Sequence, residues 1–303
     1  MPSVTHPIAT FHLPGLFEFC DLYHAFFALF RTHREYFYDW CEIGSVYGAP
    51  ADCLWGGGRV GYGENFISEA LSLVNTYELS PRLTLSNSLL EPAHLQDFRC
   101  NALCDQFARQ SKQPCGVIIH SDLLLDYLRQ KYPGFYFVSS TTKVLTDYSQ
   151  LEAELHREVF RYVVPDFRWN KEIALLEKFP MSQRQKIELL CNECCSVHCT
   201  QRKACYENVS RKSLGESVPD HICVMPEGRR GYRFSAAMES PAYIGPQDIL
   251  NTYLPMGITQ FKLEGRSLGS AMILEFLLQY LTKPKYQLKV REEIYLDSML
   301  DLF

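Results

Sequence analysis

The feature that most constrains this chain is an alternation repeated along its length. Short runs of Val, Ile, Leu, Phe and Tyr bounded by turn residues give way to stretches whose apolar residues recur every three to four positions. Eight extended runs fit the first pattern, at 9–15, within 40–58, and at 82–88, 115–122, 135–140, 161–166, 186–193 and 258–266. Helix-period stretches at 17–32, 64–77, 92–109, 123–131, 150–159, 170–178 and 268–281 follow most of them. The seventh run breaks the rule. After it comes an irregular segment rich in Cys, Arg, Lys, Gly and Pro, before a short helix expected at 247–254. A strand–helix unit repeated about eight times in 250 to 300 residues is the count of a (β/α)8 barrel, and an open doubly wound sheet is the competing arrangement. The expected fold is therefore α/β: one TIM-like barrel domain over 1–303 with a cysteine-rich insertion loop at 191–245.

Composition agrees with a packed globular chain, since 47% of residues are hydrophobic and 21% charged. The formal net charge of -5 argues against a broadly basic nucleic-acid surface, although Arg and Lys cluster locally between 202 and 233. No apolar run approaches the roughly 20 residues of a membrane span. The first residues lack a basic segment followed by an apolar one, so no signal peptide is expected and the cytoplasm is the expected location. In that compartment thiols stay reduced, and the 12 cysteines are then read as core residues or ligands rather than disulfides.

In a barrel of this type chemistry gathers where strands end. Asn87, His120, Asp122, Ser139, Ser140, Asp166, Arg168, Asn192, Glu193, Glu264 and Arg266 all fall there, whereas the strand interiors read as apolar. The expected cavity is lined by Arg59, Asn87, His120, Asp122, Ser140, Glu264 and Arg266. Among these, Glu264, Arg266 and Asp122 are the candidate catalytic residues. Strand alternation puts Lys262 and Glu264 on one face, projecting into the barrel mouth. With Arg266 they form either a structural ion-pair network or a device in which Arg266 orients a substrate carboxylate and Glu264 exchanges protons. Arg59, in the Gly-rich turn 56–61, is placed to hold an anionic group. That turn fits G-x-G-x-x-G but lacks the acidic residue of a dinucleotide site.

Five of the 12 cysteines lie in the segment C-N-E-C-C-S-V-H-C-T-Q-R-K-A-C at 191–205. Cys191 reads as the buried end of the strand. Cys195, Cys199 and Cys205 sit in a polar loop, where no apolar core explains three neighbouring thiols, and Cys194 or Cys223 can complete a set of four. Soft thiolates select zinc, copper(I) or an iron–sulfur cluster. The chain lacks a nucleophile elbow, an H-E-x-x-H helix and a Walker loop, which leaves serine hydrolases, zincins and P-loop NTPases without support.

Three segments together, GVIIHSDLLLDYLRQKYPGFYFVSSTTKVLTD, ELLCNECCSVHCTQRKACY and GITQFKLEGRSLGSAMILEFLLQYL, resemble in order and spacing the collagenase-like "U thirty-two" peptidase family. APADCLWGGGR and RYVVPDFRWNKEI resemble further strands of it. The resemblance implies a TIM-like barrel. In the branch of anaerobic hydroxylation proteins acting on quinone precursors or RNA, it also implies a four-iron four-sulfur (4Fe-4S) cluster on four cysteines. Carried over by position, the cysteine loop matches at Cys195 and Cys199 and then Cys205, and Glu264 and Arg266 match the eighth-strand signature. The function so implied is an iron–sulfur oxidoreductase of hydroxylase type, acting on a small anionic or RNA-linked substrate and able to pair with a partner protein of the same family. Two alternatives stay open: a metal-dependent peptidase or hydrolase, and a non-catalytic partner-binding barrel with a structural zinc site.

Overall fold

A computed structural model describes residues 7–57, 66–193, 195–225 and 232–298. Its frame is one parallel sheet of eight strands: β1 (Ala9–Pro14), β2 (Cys41–Gly48), β3 (Ser80–Leu85), β4 (Gly116–Ile119), β5 (Tyr136–Ser139), β6 (Phe160–Val163), β7 (Glu188–Leu190) and β8 (Gln260–Lys262). The order around the sheet is β6-β5-β4-β3-β2-β1-β8-β7. A parallel bridge between Val163 and Ile187, with Val163 N–H donating to the Lys186 carbonyl at 2.8 Å, brings β6 back to β7. The result is a nearly closed TIM-like barrel with helices between its strands.

The outer ring forms as its periodicity dictates. Helix α1 (Cys20–Thr32) buries Leu22, Tyr23, Phe26 and Phe27, one stripe along its length. The ring continues through α2 (Ile67–Tyr77), α3 (Phe98–Gln110), α4 (Asp122–Lys131) and α5 (Tyr148–His156). Asp97 accepts the Cys100 N–H at 2.8 Å to start α3, and Ser121 caps α4. Two single-turn helices, α6 (Ile173–Leu176) and α7 (Met181–Arg184), stand before β7, and Ser270–Leu281 follows β8. No helix among the described residues is long and apolar enough to cross a membrane.

Two expectations are corrected. The segment after β7 is not irregular throughout: it contains the twelve-residue helix α8 (Arg202–Ser213). This helix presents Arg202, Tyr206 and Ser210 inward, a stripe of helical spacing made mostly of polar groups, so no hydrophobic period announces it. Its last turn carries Arg211 and Lys212, favourable at the negative end of the helix dipole. The strand interiors are not uniformly apolar either. Inside the barrel, Arg82 of β3 donates to Glu188 of β7 at 2.6 Å, and both side chains are buried. His12 sits beside them, bonded to Ser45 at 2.8 Å and Gln260 at 3.0 Å. Arg82 also donates to the Tyr136 hydroxyl at 3.0 Å and lies against the Tyr162 ring. This polar plug fills one level of the barrel. A second interior cluster, of Tyr47, Ile118, Val138, Val164 and Leu190, packs separately from the main core.

Candidate active site

At the C-terminal ends of the strands lies a cavity open to solvent. Lys262, Glu264 and Arg266 line it from the end of β8, with Tyr47 from β2, Thr84 from β3 and Tyr206 from α8. Ser86, Ser140, Thr141 and Thr142 add hydroxyls. A barrel of this type places its reacting groups at this face because each strand delivers one side chain to the axis just before its loop departs.

The chain after β8 is held firmly. Asn192, at the end of β7, accepts the Glu264 N–H at 2.7 Å and donates to the Glu264 carbonyl at 3.1 Å. The Tyr232 hydroxyl donates in turn to the Asn192 carbonyl at 2.5 Å. Between Glu264 and Arg266, Gly265 takes φ +151°, a conformation L side chains rarely adopt, and a Cβ there would lie 2.2 Å from Ile273. Backbone and neighbour together fix where the two flanking charges emerge.

The electrostatics are set by burial and by guanidinium groups. Burial, reinforced by Arg82 and Arg266, pulls the Lys262 amine down to about 7 against the opposing pull of Glu188 and Glu264. Its Nζ lies 3.7 Å from the centroid of the Tyr47 ring and 3.9 Å from Glu188 Oε1, beyond hydrogen-bonding reach. Burial works to raise Glu188, but the charge of Arg82 prevails and holds the carboxyl at about 2. Burial and then Arg82 lower His12 to about 3, so its 3.5 Å approach to Glu188 is not an ion pair at neutral pH. Arg266 is buried, and its Nη1 has no hydrogen-bond partner among the described residues; the same is true of Thr84 Oγ1.

The expected site residues fall in three places. Glu264, Arg266 and Ser140 line the cavity together. His120 stands behind it, its Nδ1 2.9 Å from the Thr142 hydroxyl, and burial followed by the charges of Lys143 and Lys203 lowers it to about 4. Asn87 and Asp122 do not line it. The Asn87 amide donates to the carbonyls of Leu54 and Ser210, tying the loop after β3 to α8. Asp122 stands largely exposed in the first turn of α4, paired with Arg157 at 2.7 Å. Arg59 and Cys194 lie outside the described residues. Tyr47, Thr84 and Tyr206 escaped the sequence reading. Lys262 was placed at the mouth by alternation, whereas its depressed basicity comes first from burial and then from Arg82, and only the fold supplies either.

The cysteine segment is anchored beside the mouth by buried charges. Arg202 pairs with Glu193 at 2.7 Å and Asp166 at 3.2 Å, and Asp166 also holds Arg168 at 2.6 Å. Arg168 donates to the carbonyl of Cys199 at 3.2 Å. Cys199 is buried, and Cys195, Cys205 and Cys223 are partly buried. Among the described residues no three His, Cys, Asp or Glu side chains gather into a group able to hold a metal ion.

Strand count, parallel order and a cavity at the strand ends define the class: a (β/α)8 barrel with its candidate site in the usual position. The solved structure of the U32 peptidase Mk0906 is similar to this chain, with a TM-score of 0.54 and 11% identity over 88% of this chain and 96% of that one. At that identity the likeness is one of fold. No family model and no curated protein matches the sequence.

Proposed function

We propose that this chain is an enzyme acting on a small anionic substrate at the barrel mouth, with Arg266 binding the anion and Glu264 exchanging protons. One observation carries the reading: a buried guanidinium nitrogen of a cavity-lining arginine has no hydrogen-bond partner among the described residues. An unsatisfied buried donor on a charged group is costly, and a bound carboxylate or phosphate would satisfy it with charge-assisted hydrogen bonds. The partnerless hydroxyl of Thr84 in the same cavity supports this. The test is calorimetric titration with small carboxylates and phosphates. Arg266→Gln is expected to weaken the tightest ligand at least roughly tenfold, the worth of one charge-assisted hydrogen bond. Equal affinity in the variant would refute the reading.

A second reading adds an iron–sulfur cluster and hydroxylation chemistry, as the family resemblance implies, on a substrate free or linked to RNA, with or without a partner chain of the same family. Its support is positional: Cys205 adjoins Tyr206, which lines the cavity. Among the described residues the thiols do not form a ligand set, so no catalytic step is assigned to a cluster. Anaerobic purification with iron, acid-labile sulfide and zinc quantified decides it. Iron and sulfide lost in Cys195→Ala and Cys199→Ala would support the cluster, and iron content unchanged in both would remove it. Zinc without iron would favour the hydrolase or the structural-zinc alternative.

A further inference from the structure

We propose that the Lys262 amine is a nucleophile that forms a Schiff base with the carbonyl of a small 2-oxo acid whose carboxylate rests on Arg266. The inference deepens the anion-binding reading above and rests on it. Its basis is how Lys262 is held. A lysine kept for structure closes a short ion pair, yet here Arg82 takes Glu188 Oε2 at 2.6 Å and leaves Lys262 at 3.9 Å from Oε1. Among the described residues, the Lys262 amine makes no hydrogen bond. It sits over the Tyr47 ring instead, in a cavity whose other polar lining is hydroxyls, Glu264 and Arg266.

This environment suits an amine that must be neutral to attack. Burial and two nearby guanidiniums bring it to about 7, so a large fraction is unprotonated at neutral pH. Arg266, whose charge Lys262 feels directly, is placed to take a carboxylate adjoining the reacting carbonyl, which selects a 2-oxo acid over a simple ketone.

The step balances without any further reactant. The nitrogen lone pair bonds to the carbonyl carbon while the π pair moves onto oxygen. Glu264 carries one amine proton to that oxygen, giving the carbinolamine. The nitrogen then forms the C=N bond as the C–O bond breaks, and the second amine proton leaves with the hydroxyl as water. Amine and carbonyl yield imine and water, with Glu264 returned to its starting state.

The test is reductive trapping on the full chain. Pyruvate, glyoxylate or 2-oxoglutarate is incubated with the protein and cyanoborohydride at pH 7.5, and modified peptides are located by mass spectrometry. Uncharged butanone serves as the control carbonyl. The expected result is one reduced adduct at Lys262, formed at least roughly tenfold faster from the best oxo acid than from butanone, with that preference lost in Arg266→Gln. Adducts spread over surface lysines with Lys262 unmodified would overturn the proposal; if oxo acids still bound calorimetrically, the anion-binding reading would survive. Trapping at Lys262 with equal rates for oxo acids and butanone would overturn both. Because the readout is made on the unaltered chain, it does not depend on Lys262→Met folding.

Discussion

Replacing Glu188 with Gln tests the account of the barrel interior most directly. The substitution is nearly isosteric, so it removes charge without making a cavity. It leaves the Arg82 guanidinium, 1% exposed, without its carboxylate at 2.6 Å. Breaking a buried pair by removing one partner costs about 3–5 kcal/mol, because the remaining charge has lost its solvation and its counterion together. The Tyr136 and Tyr162 rings flank Arg82 at 5.7 and 5.1 Å in the parent as in the variant and so do not offset the loss, and a net loss of about 3–5 kcal/mol is expected. Chemical denaturation followed by tryptophan fluorescence measures it, since Trp40, Trp55 and Trp169 are all buried. The Arg82→Met, Glu188→Leu double variant removes both charges and is expected to lie within about 1 kcal/mol of the parent or above it. A loss below about 1 kcal/mol for Glu188→Gln, or additive losses in the double variant, would refute the view of the plug as a mutually dependent pair.

Three further outcomes follow from the same geometry. Lys262 binds its proton less tightly when folded than when unfolded, so stability is expected to rise as pH climbs from about 7 towards the ordinary lysine range, and Lys262→Met is expected to flatten that slope in denaturation series. Gly57→Ala puts a Cβ 2.3 Å from the Asn87 Cα on a backbone at φ +64°, and a loss of roughly 2 kcal/mol or more in thermal unfolding is expected. Asn192→Leu removes both bonds that hold the Glu264 backbone; ligand affinity in calorimetry is expected to fall with little change in the far-ultraviolet circular dichroism.

The barrel was legible because its strands and helices differ in period, and that difference is written locally. Each of the eight strands falls within or beside an expected run, trimmed to the residues that pair. What escaped was whatever depends on residues distant in the chain. Arg82 and Glu188 are 106 positions apart, and neither reads as buried until the barrel closes around both. Helix α8 escaped for a related reason, since its inward stripe of Arg202, Tyr206 and Ser210 is stabilised by Asp166, Glu193 and Phe167 instead of by a continuous apolar face. At the mouth, Lys262 and Glu264 followed from alternation along the eighth expected run, whereas Asn87 and Asp122 showed only that polar residues end strands. Such residues also serve as ties and surface pairs, and these two do.

The junction of β6 with β7 gives the cysteine segment a second use. Every other neighbouring pair of staves is joined along several residues, but this one is fastened at a single rung. Directly above it, Arg202 reaches from the insertion to Asp166, just beyond β6, and to Glu193, just beyond β7. The insertion thus acts as a hoop drawn across the loosest joint. Loosening it would open the wall on the side where the cysteines stand, and amide exchange at Val163 would quicken first.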